Sequence, residues 1–296
     1  MTESDQPAPL RLAPRETLDD TLRRAEHEHR AAQDQRERAL ADAPPALARV
    51  GSVPYLNAVP LTRGIEDKIL LVTPSKLGEL LAKGELDAAL VSVTFPLLND
   101  GFDILDGIAV ASLGEVVSVI LAHRVPLADI RAVHCDPASL TSVNLLRVLL
   151  AERGLRPEFR TLEQYADAHR HEAALIIGDA AIDFTRGAHA HDVFDLGAAW
   201  YELTKLPFVY AVWALRRGVD TAATRIALRE ARDFGIETLD RIIRDRTEFD
   251  LAFRKDYLGW HIHYHMGADE KRGLAKFIEL MRKHGIGPVY EPKFVA

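Results

Sequence analysis

From residue 49 onward, short apolar runs alternate with amphipathic segments, and this alternation predicts the secondary structure. The apolar runs have the length and the β-branched content of buried strands, and the segments between them have helical spacing. Strand–helix–strand order is typical of parallel sheets in α/β proteins. The predicted strands lie at 69–73, 87–93, 132–136, 158–162 and 173–177, and the predicted helices between them lie at 74–81 and 139–153.

Two longer β-rich runs, at 116–121 and 206–215, bracket the second strand–helix–strand set. A chain that crosses twice between two sheets forms two lobes, so we expect a cleft between them. The predicted boundaries are 47–118 together with 209–296 for lobe I, and 119–208 for lobe II.

The first 46 residues differ from the rest and are predicted to be an N-terminal arm, either a solvated helix or disordered. Residues 1–14 are rich in proline and polar residues, and 16–42 have the composition of a solvated helix with few large apolar residues. A docking helix for a partner is the alternative, but so thin an apolar stripe would bury little surface.

Composition narrows the class of protein. The chain has 296 residues, of which 48% are hydrophobic and 27% charged, and this balance is typical of a globular protein large enough for two lobes. Its formal net charge of -7 disfavours a nucleic-acid partner. Cys135 is the single cysteine, so no intramolecular disulfide is expected. The first thirty residues lack an apolar signal core and no run approaches a membrane span, so we expect a cytoplasmic location.

The segment 49–61 combines an apolar run, a polar turn and a new helix start, and it is the first candidate site. Its two prolines, Pro54 and Pro60, restrict the backbone around the turn. The turn carries Ser52, Tyr55 and Asn57, which are neutral hydrogen-bonding side chains, where strand ends of α/β proteins open onto a crevice. We therefore expect a ligand there.

Further polar side chains lie at predicted strand ends and crossings. Ser118 is predicted in the middle of an apolar strand, where a lone hydroxyl either finds a partner in the core or faces a cavity. A helix start rich in hydroxyls suits a carboxylate, although simple N-capping is the alternative. The remaining candidates are Ser92, the helix start Ser139, Thr141 and Ser142, and the strand end Gly178 and Asp179, for which capping of the next helix is again the alternative.

The sequence predicts neither a metal site nor a cofactor. His261, His263 and His265 alternate and would share one face of a strand, but no carboxylate or cysteine pattern accompanies them, so we interpret them as an exposed face. Glycine-rich nucleotide motifs, the nucleophile elbow and the zinc-protease motif are also missing from the sequence.

Together these motifs resemble the chorismate dehydratases of the futalosine route to menaquinone. The resemblance extends in order from about Ala48 to the C-terminus. Two features depart from the family pattern: Lys205, where glycine is expected, and the histidines at 261–265. The N-terminal arm lies outside the resemblance. The segments that carry the resemblance are 50–61, 84–90, 117–119, 139–143, 177–180, 195–200 and 206–213.

The resemblance implies a fold, a reaction and a set of site residues. The implied fold is α/β and of the two-lobed, periplasmic-binding-protein-like type II, with two mixed sheets flanked by helices. The implied reaction removes water from chorismate to give 3-[(1-carboxyvinyl)oxy]benzoate, with Asn57 and Ser118 facing the reacting ring. The other candidates would bind the substrate, and no cofactor or macromolecular partner is implied.

The chemistry that follows is a hypothesis. The candidate residues include no histidine or lysine base, whereas the substrate's own enolpyruvyl carboxylate can reach the ring hydrogen that is lost. Ser118 and Asn57 would orient that carboxylate and the departing hydroxyl, and Ser139, Thr141 and Ser142 would bind a carboxylate. A solute-binding protein with the same lobes and the sibling enzyme dihydroxynaphthoate synthase remain alternatives, and the oligomeric state stays open.

Overall fold

The computed structural model describes residues 18–42, 47, 49–136 and 139–296. The strands are β1 Val50–Ser52, β2 Leu70–Leu71, β3 Ala88–Ser92, β4 Phe102–Leu105, β5 Val110–Ser112, β6 Val119–His123, β7 Ala132–Cys135, β8 Glu158–Thr161, β9 Ala173–Ile177, β10 Asp192–Asp195, β11 Phe208–Arg216 and β12 Phe294–Val295. The helices are α1 Leu18–Asp42, α2 Val59–Thr62, α3 Pro74–Ala82, α4 Thr94–Leu98, α5 Leu140–Glu152, α6 Asp179–Arg186, α7 Leu196–Thr204, α8 Ala222–Glu237, α9 Leu239–Asp245, α10 Leu251–Asp256 and α11 Ala268–Lys283, and a π-helical turn follows α10 at Tyr257–His261.

The strands form two mixed sheets. The larger sheet has the order β12-β4-β11-β3-β1-β2, and β5 pairs with β11. In it β1 is parallel to β2 and β3, whereas β11 is antiparallel to β3, β4 and β5. The smaller sheet has the order β10-β6-β9-β7-β8, in which β7 is parallel to β8 and β9 and β6 is antiparallel to its neighbours.

The predicted strand–helix–strand sets are confirmed. The helix α3 connects β2 to β3, and α5 connects the parallel strands β7 and β8. The strand predicted at 173–177 coincides with β9. These elements follow from the sequence because each buries an apolar face whose period is visible locally.

The strand predicted at 116–121 is wrong at its start, because β6 begins only at Val119. Val117 has a φ of 55°, which is incompatible with a strand and rare for a β-branched residue. Ser118 therefore lies in a turn at the crossing between the sheets instead of inside a strand.

The long strand β11 organises the core of the larger sheet. Its aromatic side chains Phe208 and Trp213 are fully buried, and α11 packs on this strand through Phe277, whose ring lies 5.0 Å from that of Phe208. Trp200 of α7 completes this aromatic group, and its indole N–H donates to the carbonyl of Pro207 at 3.1 Å. Burial of aromatic side chains of this size contributes a large part of the apolar surface removed from water.

The described part of the N-terminal arm is the helix α1, and this confirms the predicted helix. Its described side chains are mostly exposed, as a polar composition predicts. The chain divides into two compact units, residues 1–42 and residues 43–296. Among the helices in the described ranges, none combines the length and apolar character needed to cross a bilayer.

The strands of the larger sheet come from 50–112 and 208–295, and those of the smaller sheet from 119–195. We propose lobe I at 47–118 and 209–296 and lobe II at 119–208 on this basis, with the arm ending at residue 46. The connections at Val116–Ser118 and before Phe208 are then the two crossings.

The backbone conformation at Lys205 explains why the resemblance predicts glycine at this position. Lys205 follows the last residue of α7 with φ 57° and ψ 25°, in the left-handed region that glycine adopts most readily. The glycine expected from the resemblance would occupy this conformation without the steric cost of a Cβ atom.

Candidate active site

A cavity opens between the two sheets, at the strand ends where the sequence predicts a ligand. The space inside it is about 720 Å³, including its mouth and the open solvent there. The larger sheet contributes β3, β5 and β11 to its wall, and the smaller sheet contributes β6, β9 and the start of α5. The predicted site residues that line it are Tyr55, Asn57, Ser92, Ser118, Ser139, Thr141, Ser142 and Gly178.

Ser118 is presented to the cavity by a strained turn. Its backbone N–H donates to the carbonyl of Val116 at 2.7 Å, and its hydroxyl donates to the same carbonyl at 3.3 Å. The left-handed conformation of Val117 between them costs on the order of 1–2 kcal/mol. Such strain persists only where neighbouring interactions fix it, so the position of Ser118 is determined by its surroundings.

Asp195 supplies those interactions from the end of β10. Its carboxylate accepts the backbone N–H of Val117 at 2.8 Å and that of Val116 at 3.2 Å, and it caps α7 by accepting the N–H of Ala198 at 2.9 Å. Burial raises the pKa of Asp195, and these three donors oppose the rise. The carboxylate thus ties the crossing turn to the smaller sheet.

Tyr257, which the sequence did not single out, connects the two residues expected to face the reacting ring. The amide of Asn57 donates to its hydroxyl at 3.1 Å, and the Ser118 side chain lies next to the same hydroxyl. The side chain is fully buried, and burial raises the pKa of Tyr257. The neutral phenol therefore fixes the Asn57 amide at the point where the Ser118 hydroxyl also lies.

A second contact across the cavity is made by hydroxyls. The hydroxyl of Thr141 is hydrogen-bonded to those of Ser92 and Thr94, the latter at 2.8 Å, and its backbone N–H donates to Ser92 Oγ at 2.8 Å. Thr141 was expected to offer its hydroxyl to a ligand, but in this structure the hydroxyl already joins the start of α5 to the larger sheet.

Ser139 lies at the same helix start, and its hydroxyl is free to bind a ligand. Ser139 is the N-cap residue of α5, but its side chain makes no capping hydrogen bond. The structure therefore contradicts the alternative of simple N-capping. The side chain is 5% exposed, lines the cavity and has no hydrogen-bond partner among the described residues. With Ser142 one helical turn further, it offers hydroxyls at the positive end of a 13-residue helix.

Tyr55 and Gly178 meet across the cavity. Gly178 has φ 62°, and a Cβ atom there would lie 3.8 Å from the Tyr55 ring. Its N–H donates to the carbonyl of Ser118 at 2.8 Å. Burial raises the pKa of Tyr55, with further contributions from Asp136 and Asp179, so its hydroxyl stays protonated and can donate.

Ser52 and Asp179 were expected on the cavity wall, but the structure places both behind it. Ser52 is fully buried in β1, where neighbouring chain covers it. Asp179 is the first residue of α6, and the Oδ1 atom of its carboxylate is buried without a hydrogen-bond partner among the described residues. Burial raises its pKa. Neither side chain is among the residues that line the cavity.

Within the described residues, one group of side chains has the composition of a metal site. It comprises His263, His265 and Glu270, and none of them lines the cavity. The carboxylate that the sequence did not place beside the histidines comes from the first turn of α11.

Comparison with known proteins agrees with this geometry. The sequence model of the family described as menaquinone biosynthesis matches residues 48–283. A relative from Thermus thermophilus named chorismate dehydratase is 33% identical, over 77% of this chain and 92% of the relative.

Solved structures show the fold. Protein AF1704 from Archaeoglobus fulgidus superposes with a TM-score of 0.66 at 19% identity, over 81% of this chain and 98% of that one. The periplasmic aliphatic sulphonate binding protein SsuA from Escherichia coli gives a TM-score of 0.56 at 15% identity, over 86% and 94% of the two chains. The predicted two-lobed, periplasmic-binding-protein-like fold is thereby confirmed. By the extent of the sequence match, the chain belongs to the menaquinone biosynthesis family.

Proposed function

We propose that this protein is a chorismate dehydratase, a hydro-lyase that removes water from chorismate to give 3-[(1-carboxyvinyl)oxy]benzoate. The observation that carries the proposal is the pair Asn57 and Ser118, which line the cavity and lie together at the Tyr257 hydroxyl. The named relative supports the choice of substrate. Such a reaction would begin the futalosine route to menaquinone, and the proposed location is the cytoplasm.

The reaction breaks a ring C–H bond and the neighbouring C–O bond. The hydrogen on the ether-bearing carbon is allylic to a ring double bond conjugated with the carboxylate, so negative charge that develops there is delocalised. Expulsion of the neighbouring hydroxide makes the ring aromatic, and the abstracted proton and the hydroxide together account for the water lost. The reaction therefore needs a base, from the protein or from the substrate, and a site that stabilises the leaving oxygen.

The described cavity wall offers hydroxyl, phenol and amide groups, but no carboxylate, imidazole or amine. The enolpyruvyl carboxylate of the substrate reaches the ring hydrogen through a six-membered arrangement, and we propose it as the base. Ser118 and Asn57 would orient that carboxylate and donate to the departing hydroxyl. The protein then contributes a selected conformer and preorganised hydrogen bonds, both of which produce large rate effects.

Tyr257 acts in this scheme as a positioning residue. We expect Tyr257→Phe to lower kcat by about tenfold with little change in KM, because Asn57 loses the acceptor that fixes it beside Ser118 before the transition state forms. Steady-state kinetics with chorismate measure both constants. Tyr264→Phe is the matched control, since Tyr264 is also buried, in the same segment, but its hydroxyl has no hydrogen-bond partner among the described residues. Equal kinetics in both variants would contradict the positioning role.

Ser139 is proposed to bind a substrate carboxylate. We expect Ser139→Ala to raise KM by about tenfold and to change kcat by less than about twofold, because a hydrogen bond to a charged group is lost equally from the ground and transition states. Thr221→Ala is the control, since Thr221 precedes α8 as an N-cap residue that likewise makes no side-chain cap. A fall in kcat with unchanged KM would contradict this assignment.

Incubation of the full-length protein with chorismate separates the candidate functions. A dehydratase converts chorismate to an aromatic product that chromatography detects, whereas a solute-binding protein binds it and returns it unchanged. Saturable binding in calorimetry without product would therefore overturn the proposed activity. Failure to bind or convert chorismate would favour the sibling enzyme of the pathway.

A further inference from the structure

The segment between the π-helical turn and α11 carries two histidines on a fixed backbone. His263 pairs with Ala111 of β5, exchanging N–H to carbonyl hydrogen bonds of 2.7 and 2.9 Å. His265 lies two residues further, so on an extended chain both side chains project from one side. Their rings are stacked, with centroids 5.6 Å apart and an interplanar angle of 16°.

Glu270 brings a carboxylate to these rings. It is 4% exposed, and its Oε2 accepts the backbone N–H of Gly267 at 2.8 Å. Its other oxygen, Oε1, lies 3.3 Å from Nε2 of His265. One candidate ligand atom from each of the three residues lies within 4.8 Å of the others. In protein metal sites, a carboxylate that binds the ion is usually held in orientation by a hydrogen bond of this kind.

We propose that His263, His265 and Glu270 bind a divalent transition-metal ion of the zinc type. Two imidazoles and one carboxylate are the ligands that such ions prefer, and a water molecule would complete a tetrahedral set. The ligand set excludes a hard ion such as Mg²⁺ as the preferred occupant, because that ion favours oxygen ligands and octahedral geometry.

This site is independent of the proposed reaction. None of its three residues lines the cavity, whereas Ile262, immediately before His263, does. A bound ion would therefore tie the extended segment to the first turn of α11 and stabilise one edge of the cavity. We expect it to raise the melting temperature and to leave the chemistry of the cavity unchanged.

Calorimetric titration of the metal-free, full-length protein with ZnCl₂ tests the proposal. We expect saturable binding that His265→Ala and Glu270→Gln each weaken by at least about a hundredfold, since loss of a direct ligand costs more than the ten- to hundredfold typical of outer partners. His265 is 60% exposed in its side chain, and Glu270→Gln keeps a side-chain oxygen that can accept the N–H of Gly267, so both variants should fold. Circular dichroism checks this.

His261→Ala is the matched control, because it removes a histidine of the same alternating series that is not one of the proposed ligands. The ring of His261 is hydrogen-bonded to the carbonyl of Glu115. The sequence also has alternating histidine pairs at 27/29, 169/171 and 189/191, which could bind zinc weakly. Binding that survives in His265→Ala and Glu270→Gln, or that falls equally in His261→Ala, would overturn the site. Absence of zinc binding by the unmodified protein would also overturn the site. Co²⁺ spectra of tetrahedral intensity that disappear in both ligand variants would support it.

Discussion

Replacement of Ser118 by alanine is expected to lower kcat by about a hundredfold and to leave the melting temperature nearly unchanged. Loss of one preorganised donor to a developing negative charge typically has an effect of this size. The hydroxyl faces the cavity and makes one long hydrogen bond, of 3.3 Å, to the carbonyl of Val116, so it adds little to packing. Asn57→Ala is expected to behave in the same way, because both groups act on the same transition state.

A buried hydroxyl elsewhere gives the comparison for this experiment. Thr238 is fully buried, does not line the cavity and donates to the carbonyl of Phe234 at 2.7 Å. Thr238→Ala should lower the melting temperature and leave kcat unchanged. If Ser118→Ala instead melts early and keeps its turnover, Ser118 is a structural hydroxyl of the core. Steady-state kinetics and thermal unfolding, measured on the same samples, distinguish these outcomes.

Replacement of Asp195 by alanine is expected to have the largest effect on stability. Three backbone N–H groups, from Val116, Val117 and Ala198, lose their acceptor, and each unsatisfied buried donor costs roughly 1–3 kcal/mol. Allowing for water that enters the space, we expect the free energy of unfolding to fall by about 3–5 kcal/mol. For a compact unit of this size, the melting temperature should fall by on the order of 10 °C.

Turnover should also fall in the Asp195 variant at temperatures where it remains folded, because the turn that presents Ser118 loses its anchor. Asp192→Ala is the control, since Asp192 lies in the same strand but is exposed. Denaturant unfolding gives the change in free energy for both variants. Equal stability of the two proteins would show that the strained turn at Val117 holds its conformation without Asp195.

The sequence predicted well what local periodicity determines. The helix α3 and the strand β9 were located to within a residue, because their apolar positions repeat at helical or strand spacing. Most of the cavity wall was also predictable, since polar residues at the ends of buried strands have few structural roles. Ser92 follows from this rule, whereas Ser118 was singled out as a lone hydroxyl in an apolar run, and Ser139 and Thr141 as hydroxyls at a helix start.

What the sequence could not supply depends on partners distant along the chain. The run 116–119 has the composition of a strand, and the turn at Val117 depends on a carboxylate 78 residues away. Tyr257 is 200 residues from Asn57, and a tyrosine in an apolar segment gives no local sign of this contact. Glu270 similarly reaches the histidines only because α11 begins beside them. In each case tertiary contact determines the role of the residue.

The proposed mechanism rests on the substrate's own carboxylate as the base, and one comparison tests this most directly. The full-length protein is mixed, under single-turnover conditions at saturating protein, with chorismate and with its analogue whose enolpyruvyl carboxylate is a neutral carboxamide. Chromatography follows the aromatic product, and calorimetry establishes that the analogue binds. We expect chorismate to be converted and the bound analogue to give no aromatic product. Conversion of the analogue at a rate comparable to that of chorismate would contradict the mechanism and assign the base to the protein.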